Sequence, residues 1–247
     1  MRPRFRVALP TSPRAVPLAI AALSALVGVG SARAADACSA TSARVAPSVV
    51  ELYTSEGCSS CPPADRWLST LKDDPSVVAL AFHVDYWDRL GWKDRFASPA
   101  FTARQAAEQA TNGARFSYTP QVVVDGRDRT DWSRARVASA ARPSATVDVA
   151  LAQRGDRFVA TLTPGAASPK RLAAYWAVTE QGHSTAVRAG ENEGATLHHD
   201  FVVRDYEPVA AWAALTLPLP TARSFIARPI SWLLVGLPAA SDCGRLR

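Results

Sequence analysis

Two cysteines separated by two serines, in Glu56-Gly57-Cys58-Ser59-Ser60-Cys61-Pro62, restrict the local fold more tightly than any other stretch of this chain. Before them runs Ser48–Thr54 (SVVELYT), whose β-branched and aromatic residues predict a strand. After them, residues 61–72 carry Ala64, Trp67, Leu68 and Leu71 at helical spacing, with Pro62 suited to a first helical turn. Cysteines at this spacing can close a tight disulfide. The start of a helix also offers the first sulfur unpaired amides and the positive end of the helix dipole. That setting favours a thiolate at Cys58, the form that attacks disulfides, with Cys61 one turn in, more buried and acting as the resolving thiol. An inert structural disulfide is the competing reading of the same four residues.

The pattern continues to alternate through residue 142. Val77–Val84 (VVALAFHV) is nearly all apolar, as a strand covered on both faces should be. Ser98-Pro99 reads as an N-cap and first helical position, opening a helix to about Thr111. Gln121–Val124 is a short strand, Asp125-Gly126 a hairpin turn, and Arg127–Thr130 its return. A last helix is expected over Trp132–Ala141. The predicted order is β-α-β-α-β-β-α. A Thr-Pro pair, Thr119-Pro120, stands just before the hairpin.

Beyond Arg142-Pro143 the helical period disappears. Val147–Leu151, Phe158–Leu162, Leu172–Val178, Phe201–Val203, Leu215–Leu219, Phe225–Ala227 and Trp232–Val235 are short runs punctuated by Pro, Gly and polar residues. Their spacing predicts a mostly β, sandwich-like domain of about seven strands. The predicted organisation is therefore a segment over 1–34, an α/β domain over 35–142 and a sandwich-like β domain over 143–247.

Charge distribution decides what the first segment is. The 247-residue chain has a formal charge of +6, which taken whole points toward nucleic acid or a membrane surface. Residues 1–34 hold Arg2, Arg4, Arg6, Arg14 and Arg33 and no acid, and without them the charge is +1. Their basic start, the apolar run Ala15–Gly30 and the Ala32-Arg33-Ala34 cleavage pattern predict a secretory signal peptide. The apolar run falls short of the ~20 residues of a membrane-spanning helix. The expected protein is exported to the periplasm or secreted, without stable membrane insertion after cleavage. The near-neutral remainder excludes nucleic acid as the expected partner.

The CxxC at a strand-to-helix junction, followed by Thr119-Pro120 before a hairpin, resembles the thioredoxin-like superfamily. The blocks VVELYTSEGCSSCPPAD, FHVDYWDRLGWKDRFASPAFTARQ, YTPQVVVDGR and GENEGATLHHDFVVRD are similar to a bacterial exported family of unknown function, domain-of-unknown-function family 1223. The superfamily resemblance implies a cis Pro120 lying against the CxxC, with the backbone at Thr119 and Pro120 pairing with a substrate peptide. It implies thiol–disulfide exchange with exported proteins or small thiols and disulfides, and no cofactor. The chain departs from ordinary thioredoxins in three places. Gly57 replaces the Trp that usually precedes the first cysteine, and Ser59-Ser60 supplies no His to stabilise a strongly oxidising thiolate. The buried acid of reductases falls at Leu52. Glu51, one residue away, is either a proton acceptor or a satisfied structural carboxylate, and lies on the opposite strand face unless a bulge intervenes.

Other residues invite chemistry as well. Cys38 and Cys243 flank the mature chain and are candidates for an end-to-end disulfide in an oxidising compartment. His83 follows the second strand; with Cys58 and Cys61 it would make a soft ligand set for Cu(I) or Zn(II), as in a copper-handling binding module. Its commoner role is a hydrogen-bonded structural histidine. His198-His199 reads as a strand-surface pair. Asp85–Phe96 (DYWDRLGWKDRF) interleaves aromatics and charge, as either a peptide-binding rim or a packed loop. Gly190–Gly194 (GENEG) reads as a turn whose two carboxylates are too few for a calcium site. The sequence contains neither a Gly-rich phosphate loop nor a nucleophile elbow.

Overall fold

A computed structural model describes residues 39–135, 137, 142–154, 157–213 and 225–226. The expected signal segment and both Cys38 and Cys243 lie outside them. The described chain is mixed α/β, with many strands and two α-helices. In order they are β1 (Ser39–Thr41), β2 (Ser48–Thr54), α1 (Pro62–Ser69), β3 (Val77–His83), α2 (Pro99–Asn112), β4 (Gln121–Val124), β5 (Arg127–Asp128), β6 (Val147–Arg154), β7 (Arg157–Pro164), β8 (Arg171–Glu180), β9 (His183–Ala186), β10 (Thr196–His199) and β11 (Val202–Ala213). Among the described residues, no helix is long and apolar enough to cross a membrane.

The central sheet has six strands in the order β5-β4-β2-β3-β11-β8. β2 runs parallel to β3 from Ser48↔Val77 to Thr54↔His83 and antiparallel to β4 from Val50↔Val124 to Tyr53↔Gln121. Both registers are unbroken, so the side chains of β2 alternate strictly between the two faces. Val50 and Leu52 pack with Ala64 and Leu68 on the α1 face. Tyr53 packs with Phe82 and Phe101 on the α2 face. Ser98 caps α2 as expected, its hydroxyl accepting from the Ala100 amide at 3.2 Å. Asp125 and Gly126 both have positive φ, 50° and 75°, as a two-residue hairpin turn requires. The Thr119-Pro120 peptide is cis.

Two expectations are corrected. The start of the helix expected over Trp132–Ala141 is a single 3₁₀ turn at Trp132–Arg134, followed by an extended Ala135; residues 136 and 138–141 lie outside the described residues. The described strands after residue 143 divide between two larger sheets and the β9–β10 pair, in place of the separate sandwich expected. β8 and β11 join the central sheet, where β11 lies parallel to β3 through Val202↔Ala81 and antiparallel to β8. β6 and β7 pair with β1 and with residues 225–226 in a second sheet. The open side of β3 favours this: all seven of its residues are buried, so backbone groups along that edge need partners within the protein. The Ala81 amide accordingly donates to the Phe201 carbonyl at 2.8 Å. The runs Leu215–Leu219 and Trp232–Val235 lie outside the described residues.

Candidate functional site

The carboxyl ends of β2 and β3 face one end of the sheet, and the cysteines sit there. Cys58 and Cys61 are joined in a disulfide with a Cα–Cα distance of 5.4 Å. Cys61 is the N-cap of α1, and Pro62 fills the first turn, where a missing N–H costs nothing. Both cysteines are fully buried, so the expected contrast between an accessible Cys58 and a sheltered Cys61 is absent in the disulfide form. The Ser60 hydroxyl lies 3.4 Å from Cys58 Sγ and donates to the Thr119 carbonyl at 3.5 Å. Trp87 Nε1 donates to Thr119 Oγ1 at 2.8 Å. Cys58, Cys61, Thr119 and Pro120 are therefore brought together.

The CxxC loop is also held by residues from far along the chain. Glu191 Oε2 accepts from the Ser59 amide at 3.0 Å and from the Ser59 hydroxyl at 2.7 Å. Asn192 Nδ2 donates to the carbonyls of Glu56 and Cys58, both at 2.9 Å. The turn expected at Gly190–Gly194 exists, and two of its side chains clamp the CxxC loop. The Ser59 hydrogen bonds hold the Glu191 carboxyl below its ordinary range. Sequence spacing could not reveal this clamp, because 132 residues separate Ser59 from Glu191.

The Asp85–Phe96 segment packs behind the same loop. A Cβ on Gly57 would meet Trp87 Cβ at 3.0 Å, so the residue before Cys58 has no room for a side chain. Trp92 Nε1 donates to the buried Glu56 carboxylate at 2.8 Å. Asp94 accepts from the Glu56 amide at 2.9 Å and the Phe96 amide at 2.9 Å, and its Oδ2 lies 2.7 Å from His83 Nδ1. Burial would push the Asp94 carboxyl up, but His83 and these amides hold it below its usual range. His83 is thus a buried, hydrogen-bonded residue.

His199 corrects the strand-surface expectation. It is 2% exposed, and its ring lies 4.9 Å from that of His83. Its Nε2 is 3.5 Å from Glu56 and its Nδ1 is 3.6 Å from Asp65. Burial disfavours the imidazolium, yet the two carboxylates outweigh it and push His199 up to about 9. The same contact helps hold Glu56 below its usual range against burial. The available signal was alternation in β10: Leu197 is buried and His198 exposed, so His199 faces inward with Leu197.

Glu51 lies elsewhere. It is on the α2 face, opposite Leu52, where it pairs with Arg104 Nη2 at 2.5 Å and accepts from Tyr175 at 2.7 Å. Arg104 in turn stacks over Phe82, Tyr175 and Tyr206. This geometry is that of a satisfied structural carboxylate.

The family described as protein of unknown function (DUF1223) matches residues 49–231, nearly three-quarters of the chain and the whole of this site. The chain belongs to that family. A DUF1223 chain of this sequence is also similar to a protein of Agrobacterium tumefaciens solved by crystallography as a structural-genomics target. The two are 30% identical with a TM-score of 0.55, over 69% of this chain and 76% of that one. HBP35 of Porphyromonas gingivalis is similar at 16% identity and a TM-score of 0.42, over 67% and 57% of the two chains. No match was found among curated proteins.

Proposed function

We propose that this DUF1223 chain is an exported, thioredoxin-like thiol–disulfide oxidoreductase acting through Cys58 and Cys61 on exported proteins or small thiols. One observation carries the reading: a CxxC disulfide at the junction of β2 and α1, whose Ser60 reaches the Thr119 carbonyl next to Pro120. The sheet around it supports the reading, with β2 between a parallel β3 and an antiparallel β4 that turns into β5. The signal-like residues 1–34 support export, where such a disulfide persists.

In the reduced form, the Cys58 thiolate attacks one sulfur of a substrate disulfide. That S–S bond breaks, one substrate thiolate leaves, and a mixed disulfide forms. Cys61 then loses its proton and attacks Cys58 Sγ, expelling the second substrate thiolate and closing Cys58–Cys61. Two electrons pass from the dithiol to the substrate. The reverse sequence oxidises a substrate dithiol, and the reduction potential fixes the direction. The Thr119 backbone holds the substrate strand beside Cys58.

The test is exchange with a disulfide-containing peptide. Cys58→Ser should abolish turnover, and Cys61→Ser should accumulate a mixed disulfide visible by mass. A wild-type protein that shows neither turnover nor trapping removes the exchange reading.

A further inference from the structure

Beneath the CxxC loop, four segments distant in sequence place buried metal-ligating groups together. Asp65 comes from α1, His83 from the end of β3, His199 from the end of β10, and Glu56 from the residues leading into the CxxC. One donor atom from each of Asp65, His83 and His199 lies within 4.8 Å of the others. In a tetrahedral zinc site with bonds of about 2.0–2.2 Å, ligand atoms stand roughly 3.3–3.6 Å apart. Closing that difference requires donor-atom shifts of about 1 Å.

The histidines are arranged as ligands generally are. Ligating imidazoles tend to hold one ring nitrogen on a carboxylate, which fixes the tautomer and leaves the other nitrogen for the metal. His83 has Nδ1 on Asp94 at 2.7 Å, while Nε2, fully buried, has no hydrogen-bond partner. His199 has Nε2 toward Glu56 at 3.5 Å and Nδ1 toward Asp65 at 3.6 Å, both too long for good hydrogen bonds. Neither nitrogen of His199 has a hydrogen-bond partner, and neither has Glu56 Oε1. Unpartnered polar atoms at such depth are costly in a well-packed protein. Three buried carboxylates, Glu56, Asp65 and Asp94, also converge on two imidazoles, and a divalent cation bound to the neutral rings offsets two of their three negative charges.

We propose that Asp65, His83 and His199 form a binding site for a borderline first-row divalent cation, with Zn(II) the best match to two imidazoles and one carboxylate. Asp94 and Glu56 orient the two rings. This site is separate from the cysteines, which need supply no ligand, and it does not depend on exchange activity.

The experiment uses full-length protein with the Cys58–Cys61 disulfide intact, stripped with chelator and reloaded with Zn(II) or Co(II). Wild type should retain one equivalent of zinc after desalting. The cobalt form should show visible d–d bands without a sulfur-to-cobalt charge-transfer band, a readout that needs no variant. His83→Gln and Asp65→Asn should each abolish retention, Glu56→Gln should weaken affinity about 10- to 100-fold, and Cys58→Ser/Cys61→Ser should leave stoichiometry unchanged. Wild type that retains no zinc overturns the proposal. So does metal that is lost in the double cysteine variant, or a cobalt spectrum carrying the sulfur band.

Discussion

Among single residues, Glu191 and Asn192 are expected to set how readily the buried disulfide is reached, because they hold the loop that carries it. Asn192 makes two hydrogen bonds to the loop backbone, and Glu191 holds Ser59 by two more. Each such bond contributes about 0.5–1.5 kcal/mol net. Removing the Asn192 pair, about 1–3 kcal/mol in all, should therefore raise the population of the open loop, and the reduction rate, about 5- to 150-fold. Asn192→Ala should show this in a stopped-flow reduction assay; an unchanged rate would mean that the disulfide reacts without the clamp opening. Glu191 adds a pH dependence. Its carboxyl lies below the ordinary 4.5 when the clamp is closed. The clamp's contribution is therefore present above pH 4.5 and lost as pH falls through the lower folded value. With a phosphine reductant, which works in acid, wild type should react progressively faster as pH falls below 4.5 and through the lower folded value, while Glu191→Gln should not show that step.

Neighbouring elements are tied by Arg142, which stands where the chain passes from the 3₁₀ turn toward β6. Its guanidinium donates to the carbonyls of Ala46 and Pro47, to the Ser48 hydroxyl and to both oxygens of Asp125. Asp125 also accepts from the Val49 amide at 3.0 Å. One side chain thus fixes the start of β2 to the β4–β5 turn. Arg142→Ala should cost about 2–4 kcal/mol, because it leaves several partly buried acceptors unpaired. Urea unfolding checks this; a change under 0.5 kcal/mol would show that water replaces the guanidinium without loss. Burial would raise the Asp125 carboxyl, but Arg142 and the Val49 amide hold it below 3.8. This part of the stability is present above pH 3.8 and lost as pH falls through the folded value. The elements themselves were largely legible. Ser48–Thr54 and Gln121–Val124 form at their expected bounds because β-branched density and turn chemistry are local signals. Of the helix expected over Trp132–Ala141, the described part is a 3₁₀ turn at Trp132–Arg134, where Trp132 packs its ring 5.6 Å from Trp67.

For the whole molecule, strands from beyond residue 142 complete the central sheet and both of its packed faces. Phe201 packs on the α1 face, while Val203, Tyr175 and Tyr206 pack on the α2 face over Phe82. A chain ending at residue 142 exposes the edge of β3 and both of these surfaces. It also strips Glu51 and Arg104 of their Tyr175 and Tyr206 partners. Such a chain should lose cooperative unfolding, which circular dichroism and denaturant titration would detect. A sharp two-state transition in the truncated chain would show that β2–β5 with α1 and α2 form a sufficient core.

Local signals in the sequence account for the order of strands and helices from residue 48 to 130, though not for β1, and for the placement of the cysteine pair at a strand-to-helix junction with the caps and turn around it. Each depends on residues within a few positions of one another. Only the tertiary structure decided that β11 extends the sheet of β3, that Glu191 and Asn192 close over Ser59 and Cys58, and that His199 turns inward between Glu56 and Asp65. Those pairings join residues more than a hundred positions apart. Their energy comes from burial and mutual satisfaction of polar groups, which no local pattern records.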